Sequence, residues 1–155
     1  MSTAAGARPE VIAASWGDNL FGARLSPNGR WISFTAIDVA TPSQASIYVI
    51  PSGGGAARRV TTSSTFNDKA RWSVDGTALY FVSNRSGLFN VWRKSFDPDT
   101  GHFLDDAAQV THFDRPGLTL MPSLAEMSLA VTADRLFLPL TESIGQVWVL
   151  DHVER

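Results

Sequence analysis

Three histidines, His102, His112 and His152, are the side chains best suited to proton transfer near neutral pH or to metal ligation, and no cysteine is present to join them. None has the i, i+4 spacing with which a helix presents two ligands to zinc. Asp97-Pro98-Asp99-Thr100-Gly101 has the carboxylate density of a calcium loop. However, its glycine comes at the fifth position and its twelfth residue is Ala108, where an EF-hand-like loop needs a mid-loop glycine and a distal glutamate. Proline and glycine at these places suit a hairpin turn, and Asp105-Asp106 beyond it suit a solvated loop. No Gly-x-Ser-x-Gly elbow, phosphate loop or dinucleotide fingerprint occurs. Two sets remain. Asp38, Asp68 and Asp114 would serve a hydrolase or lyase if they met the histidines in one concavity. The second set is arginine, which supplies eleven of the thirteen basic residues, with Arg24, Arg71, Arg85 and Arg93 at or beside matching points along the chain. Guanidinium forks suit carboxylates, whether between structural elements or on a partner.

The elements that position these residues repeat. Ala23-Arg24-Leu25-Ser26-Pro27-Asn28-Gly29 recurs as Ala70-Arg71-Trp72-Ser73-Val74-Asp75-Gly76, an offset of 47. Upstream, Val11-Ile12-Ala13-Ala14-Ser15 is echoed by Val60-Thr61-Thr62-Ser63-Ser64 and by Val110-Thr111-His112-Phe113; downstream, Ile47-Tyr48-Val49 is echoed by Val91-Trp92-Arg93 and Val147-Trp148-Val149. Three units of about 45 to 55 residues therefore fill the chain. Trp31–Thr35 and Ala78–Val82 are β-branched and aromatic runs bounded by turn residues, which predicts strands. Asn28-Gly29 and Asp75-Gly76 just before them predict type I′ hairpins. Each unit is expected to hold an outer strand near Val11, Val60 or Val110 and three more joined by hairpins. The third unit keeps Asp134 without a following glycine, and its first strand is expected within Ser123–Val131.

Leu79–Val82 is apolar throughout, whereas a sheet with one wet face alternates. Strands of this kind imply sheets covered on both sides, and radial stacking of four-stranded antiparallel sheets gives an all-β propeller. Leu25-Ser26-Pro27-Asn28-Gly29 through Phe34 and Trp72-Ser73-Val74-Asp75-Gly76 resemble the signature of TolB-type, WD-repeat-like propeller repeats. Ile47-Tyr48-Val49, Val91-Trp92-Arg93 and Ser83-Asn84-Arg85-Ser86-Gly87 match the segments that follow it, and the likeness runs from about residue 10 to 152. The finer likeness is to the C-terminal three blades of bacterial six-bladed proteins. It implies a scaffold or protein-interaction module rather than an enzyme. The alternatives are a propeller hydrolase or lyase with acidic channel residues, or the accessory propeller of a prolyl-oligopeptidase-like enzyme.

The chain has 155 residues, 44% hydrophobic and 18% charged, with a formal net charge of −2. This composition excludes disorder and a general phosphate-backbone binder. The expected organisation is a tail at 1–9, a three-blade segment at 10–152 with units of about 10–52, 58–97 and 108–151, and a tail at 153–155. Three blades make half of a six-bladed ring. The strand near Glu10–Ala14 has no earlier blade to join and the last unit lacks its outer strand, so either a homodimer completes the ring or the remainder of a longer chain does. No catalytic, cofactor-binding or metal residue is assigned. Arg24, Arg71, Arg85, Trp16 and Phe66 are the candidate partner-binding residues, with Trp16, Phe21, Phe66 and Phe113 expected on or near rim loops. The partner is expected to be a protein, with no nucleic acid and no membrane span. The location is expected to be cytoplasmic as written, and periplasmic if the true start lies upstream.

Overall fold

The computed structural model describes residues 10–13, 19–62, 64–120, 128–145 and 149. Its first sheet runs in the order β1 (Asn19–Leu25), β2 (Trp31–Ile37), β3 (Ala45–Pro51) and β4 (Arg58–Arg59), all antiparallel. A second sheet repeats it with β5 (Asn67–Trp72), β6 (Ala78–Ser83), β7 (Asn90–Ser95) and β8 (Ala108–Gln109). The short outer strands end just before Val60 and Val110, and each pairs with the sheet that precedes it. Residues 10–13, where an outer strand is expected, form no strand.

The third unit contributes β9 (Leu118–Thr119) paired with β12 (Thr141–Glu142), and β10 (Ala130–Val131) paired with β11 (Leu136–Phe137). Of the Ser123–Val131 window in which its first strand is expected, residues 123–127 lie outside the described residues, and β10 occupies its last two positions. No helix occurs among the described residues, and none is long and apolar enough to cross a membrane.

The turn that opens each sheet is not type I′, because neither Asn28 nor Asp75 has a positive φ; only Gly29 (φ 73°) and Gly76 (φ 72°) do. Gly29 N–H closes on the Ser26 carbonyl at 2.9 Å and Ser26 N–H on the Trp31 carbonyl at 2.7 Å. The Ser26 hydroxyl accepts the Trp31 N–H at 3.0 Å and donates to Asn28 Oδ1 at 2.8 Å. The same circuit recurs at Ser73, Asp75, Gly76 and Ala78. This is a longer hairpin turn ending in one left-handed glycine, and serine with Asn or Asp two residues on supplies the side-chain bonds that fix it. At Thr132-Ala133-Asp134-Arg135 a threonine takes the serine's part in a shorter turn, which removes the need for glycine.

Two apolar cores lie between the units. Trp31, Ile47, Val49 and Val60 meet Ala70, Trp72, Leu79, Phe81 and Phe96 between the two sheets. Val82 and Val91 meet Leu120 and Leu129 beyond the second sheet, with Tyr80, Phe113, Leu136 and Leu138 around them. Successive residues of β6 thus serve opposite cores, which accounts for its unbroken apolar run.

Candidate functional site

Ile32 and Phe34 of β2 hold the positions that Leu79 and Phe81 hold in β6, since Leu25 pairs with Ile32 as Trp72 pairs with Leu79. Leu79 and Phe81 are covered by the first sheet. Among the described residues no sheet covers the matching face of the first sheet, although Phe34 and Ile50 on it are buried. Leu25, the counterpart of buried Trp72, is 50% exposed, and Phe21 is 52% exposed. A cavity of about 360 Å³ lies here, between Phe21, Ile32, Phe34 and Ile50 and the segment Glu10–Ala13. At the other end of the stack, Phe137 corresponds to Tyr80 and is 52% exposed, and Ile144 and Val149 are also open. The described residues therefore leave apolar side chains exposed at both ends of the stack.

Along the edge made by β1 and β5, each strand shifts register once, between Phe21 and Arg24 and between Asp68 and Arg71. The bulged residue has a left-handed backbone in both: Gly22 (φ 63°) in the first sheet and Lys69 (φ 59°) in the second. Glycine takes this conformation freely and lysine does not. Lys69 places its ammonium 3.2 Å from Asp68 Oδ2, with both side chains largely buried, and Asp68 Oδ1 accepts the Thr35 hydroxyl at 2.8 Å. Asp68 is thereby bound into the junction between sheets. Asp38 instead caps Ala40 and Thr41 in its own loop, and Asp114 is exposed. No cluster of three or more His, Asp or Glu suited to a metal occurs among the described residues.

The arginines differ in what they hold. Arg71 bridges to the third unit, donating from Nε to the Leu129 carbonyl at 2.9 Å and from a terminal nitrogen to the Ser128 hydroxyl at 3.0 Å. Burial lowers its pKa, and the neighbouring Arg24 charge adds to the effect against Asp68. Its hydrogen-bond partners are the Leu129 and Ala70 carbonyls and the Ser128 hydroxyl rather than a carboxylate. Arg85 lies over the Phe81 and Trp92 rings and donates to Ser83 Oγ and Asn67 Oδ1, with burial lowering its pKa. Arg24 is exposed and its one side-chain bond is to the adjoining Ala23 carbonyl. Phe66 packs edge-on against Phe89 at 6.1 Å, and Phe113 joins the second core. Phe21 is in strand β1 rather than a loop. Trp16 and His152 lie outside the described residues.

The Asp97–Gly101 loop is a clamp between sheets. Trp31 Nε1 donates to the Pro98 carbonyl at 2.8 Å, Arg30 pairs with Asp99 at 2.8 Å, and Arg58 donates to the Thr100 carbonyl at 2.8 Å. Both Asp97 carboxylate oxygens are spent inside the loop, and the Thr100 hydroxyl is the foremost of the bonds that lower its pKa. Sequence reasoning found this loop but not its target, because the contact joins residues almost seventy positions apart.

No family model matches the chain. An uncharacterised protein of Agrobacterium fabrum is 29% identical over 91 residues, 59% of this chain and 30% of that protein. TolB from Acinetobacter baumannii superposes with a TM-score of 0.54 at 22% identity, covering 86% of this chain and 32% of that one. The fold is that of a TolB-type β-propeller segment. A protein assigned as TolB in Agrobacterium tumefaciens gives a TM-score of 0.49 at 19% identity, over 79% and 46% of the two chains. A puromycin hydrolase gives 0.49 at 26% identity, over 66% and 15%. The chain thus spans about a third of the A. baumannii TolB and less than half of each of the others.

Proposed function

We propose that this chain is a non-enzymatic propeller module that binds a protein partner, and that a second copy of the chain completes its ring. The observation that carries this reading is the open face of the first sheet. Its Ile32 and Phe34 occupy the places of Leu79 and Phe81, which elsewhere in the same chain lie under a neighbouring sheet. No sheet covers this face among the described residues, and its edge residues Phe21 and Leu25 are about half exposed, which makes that edge an association surface or an aggregation liability. Phe137 at the far end is 52% exposed on β11, so two copies joined head to tail twice would bring exposed apolar ends together.

With both apolar faces used in closure, the β1–β5 edge is left for the partner. Arg24 is the favoured contact there, because its backbone carbonyl is tied to Trp72 Nε1 at 3.1 Å while its guanidinium is exposed. Arg71 is assigned to holding the junction with the third unit and Arg85 to the interior of the second sheet. Catalysis is not assigned, because Asp38, Asp68 and Asp114 each keep separate local surroundings.

Phe21→Asp together with Leu25→Asp tests closure, since both side chains are exposed within the single chain. The expected product is a folded monomer, followed by sedimentation, that melts below the wild-type assembly because the stabilisation from association is lost. Persistence of the wild-type assembly in this variant contradicts the reading. Arg24→Ala is expected to lose partner binding without a change in melting temperature.

A further inference from the structure

The junction between the second sheet and the third unit differs from the junction between the two sheets at three matched positions. In each sheet the first residue of the second strand accepts the N–H of the turn serine: Trp31 from Ser26 at 2.7 Å, Ala78 from Ser73 at 2.9 Å. Trp31 fills the first junction, where its ring meets Phe96 and its Nε1 holds the Pro98 carbonyl. Ala78 leaves the matching place without a ring. Two residues further along, Ser33 pairs with Val49 in the first sheet and Tyr80 pairs with Arg93 in the second. A fully buried valine is thus replaced by a partly buried arginine. In the turn, Asp75 stands for Asn28, and each accepts the serine hydroxyl.

All three replacements line one cavity of about 290 Å³, made by Asp75, Ala78, Tyr80 and Arg93 of the second sheet and by Thr132 and Ala133 of the third unit. Its size is at the lower end of small-molecule sites. Arg93 donates from one terminal nitrogen to Ser95 Oγ at 3.0 Å, and Ser95 passes the bond on to Asp105 at 2.6 Å. The guanidinium is therefore anchored through a hydroxyl, and it forms no ion pair among the described residues. The Asp75 carboxyl is held down to about 2, so it is charged at neutral pH. The turn does not require that charge, since Asn28 closes the same circuit as a neutral amide.

We infer that this cavity binds a small zwitterion carrying a flat apolar group, the chemical class of an aromatic amino acid. Arg93 takes the carboxylate with the fork donors that Ser95 leaves over. Asp75 takes the ammonium. The ring enters the space over Ala78 and beside Tyr80, as the Trp31 indole occupies the first junction. The two charges also set the selectivity: Asp75 opposes a ligand with only an anionic group, and Arg93 opposes one with only a cationic group. The site is independent of ring completion, because every residue in it belongs to the second and third units of one chain.

Isothermal titration of the full chain with L-tryptophan, tryptamine and indolepropionate tests the assignment, since the last two lack the carboxylate and the ammonium respectively. L-Tryptophan is expected to bind, and each of the other two to bind about ten-fold more weakly, the worth of one hydrogen bond to a charged group. Arg93→Val and Asp75→Asn each install the first sheet's own residue. Arg93→Val is expected to weaken L-tryptophan about ten-fold and leave tryptamine unchanged. Asp75→Asn is expected to weaken L-tryptophan similarly and leave indolepropionate unchanged. Absence of L-tryptophan binding to the wild type, or equal affinity for the three compounds, overturns the proposal. So does wild-type affinity for L-tryptophan in Arg93→Val. The ligand series on the wild type decides the matter even where a substitution unfolds the chain.

Discussion

Asp75 is exposed to solvent, yet its carboxyl is held down to about 2, first by the Ser73 hydroxyl and then by the Thr77 N–H. A carboxyl whose folded value lies below its unfolded value of about 3.9 adds stability above that pH, and loses it as pH falls toward the folded value. The wild type is therefore expected to lose more melting temperature than Asp75→Asn between about pH 4 and pH 2. Identical thermal melts across that window contradict this assignment. Asn28 performs the same task in the first sheet without a charge, so the substitution keeps the turn. Lys69 offers a second residue-scale test. Lys69→Met leaves a buried carboxylate with Thr35 alone and is expected to destabilise by about 3 kcal/mol. Lys69→Gly loses the same ion pair but relieves the left-handed backbone, and is expected to cost about 1 kcal/mol less in denaturant unfolding.

Among the elements, the clamp loop decides how firmly the two sheets join. Gly101 is left-handed (φ 72°), and a methyl there would run into the Trp31 ring. Gly101→Ala is expected to cost about 3 kcal/mol in denaturant unfolding, the sum of backbone strain and overpacking. A loss below about 1 kcal/mol would show that the clamp yields freely. The strands and their repeat were legible in the sequence because alternation, turn residues and recurrence are local signals. The turn type was not, because Asn-Gly suits both I′ and the longer turn, and Ser26 decides between them through hydrogen bonds to Asn28 and Trp31. The role of the arginines was half legible. Their placement beside repeat landmarks marked them, but only packing distinguishes Arg71 and Arg85, which are engaged between and within units, from Arg24, which is not.

For the whole molecule, the central claim is that the two apolar ends belong together. Sheet stacking inside the chain shows what covers such faces: Leu79 and Phe81 lie under Trp31, Ile47 and Val49. Burying an apolar side chain of this size contributes about 1.5–3 kcal/mol, so leaving Phe21, Leu25, Phe137 and Val149 exposed forgoes a large part of the stabilisation that the stack provides elsewhere. The sequence predicts an unpaired outer strand near Glu10–Ala14, and residues 10–13 form no strand. It could not show the matching faces, which depend on register. Native mass spectrometry of the chain tests the claim most directly. A folded species at twice 16.8 kDa is the expected result, and a folded, monodisperse monomer of 16.8 kDa would contradict it.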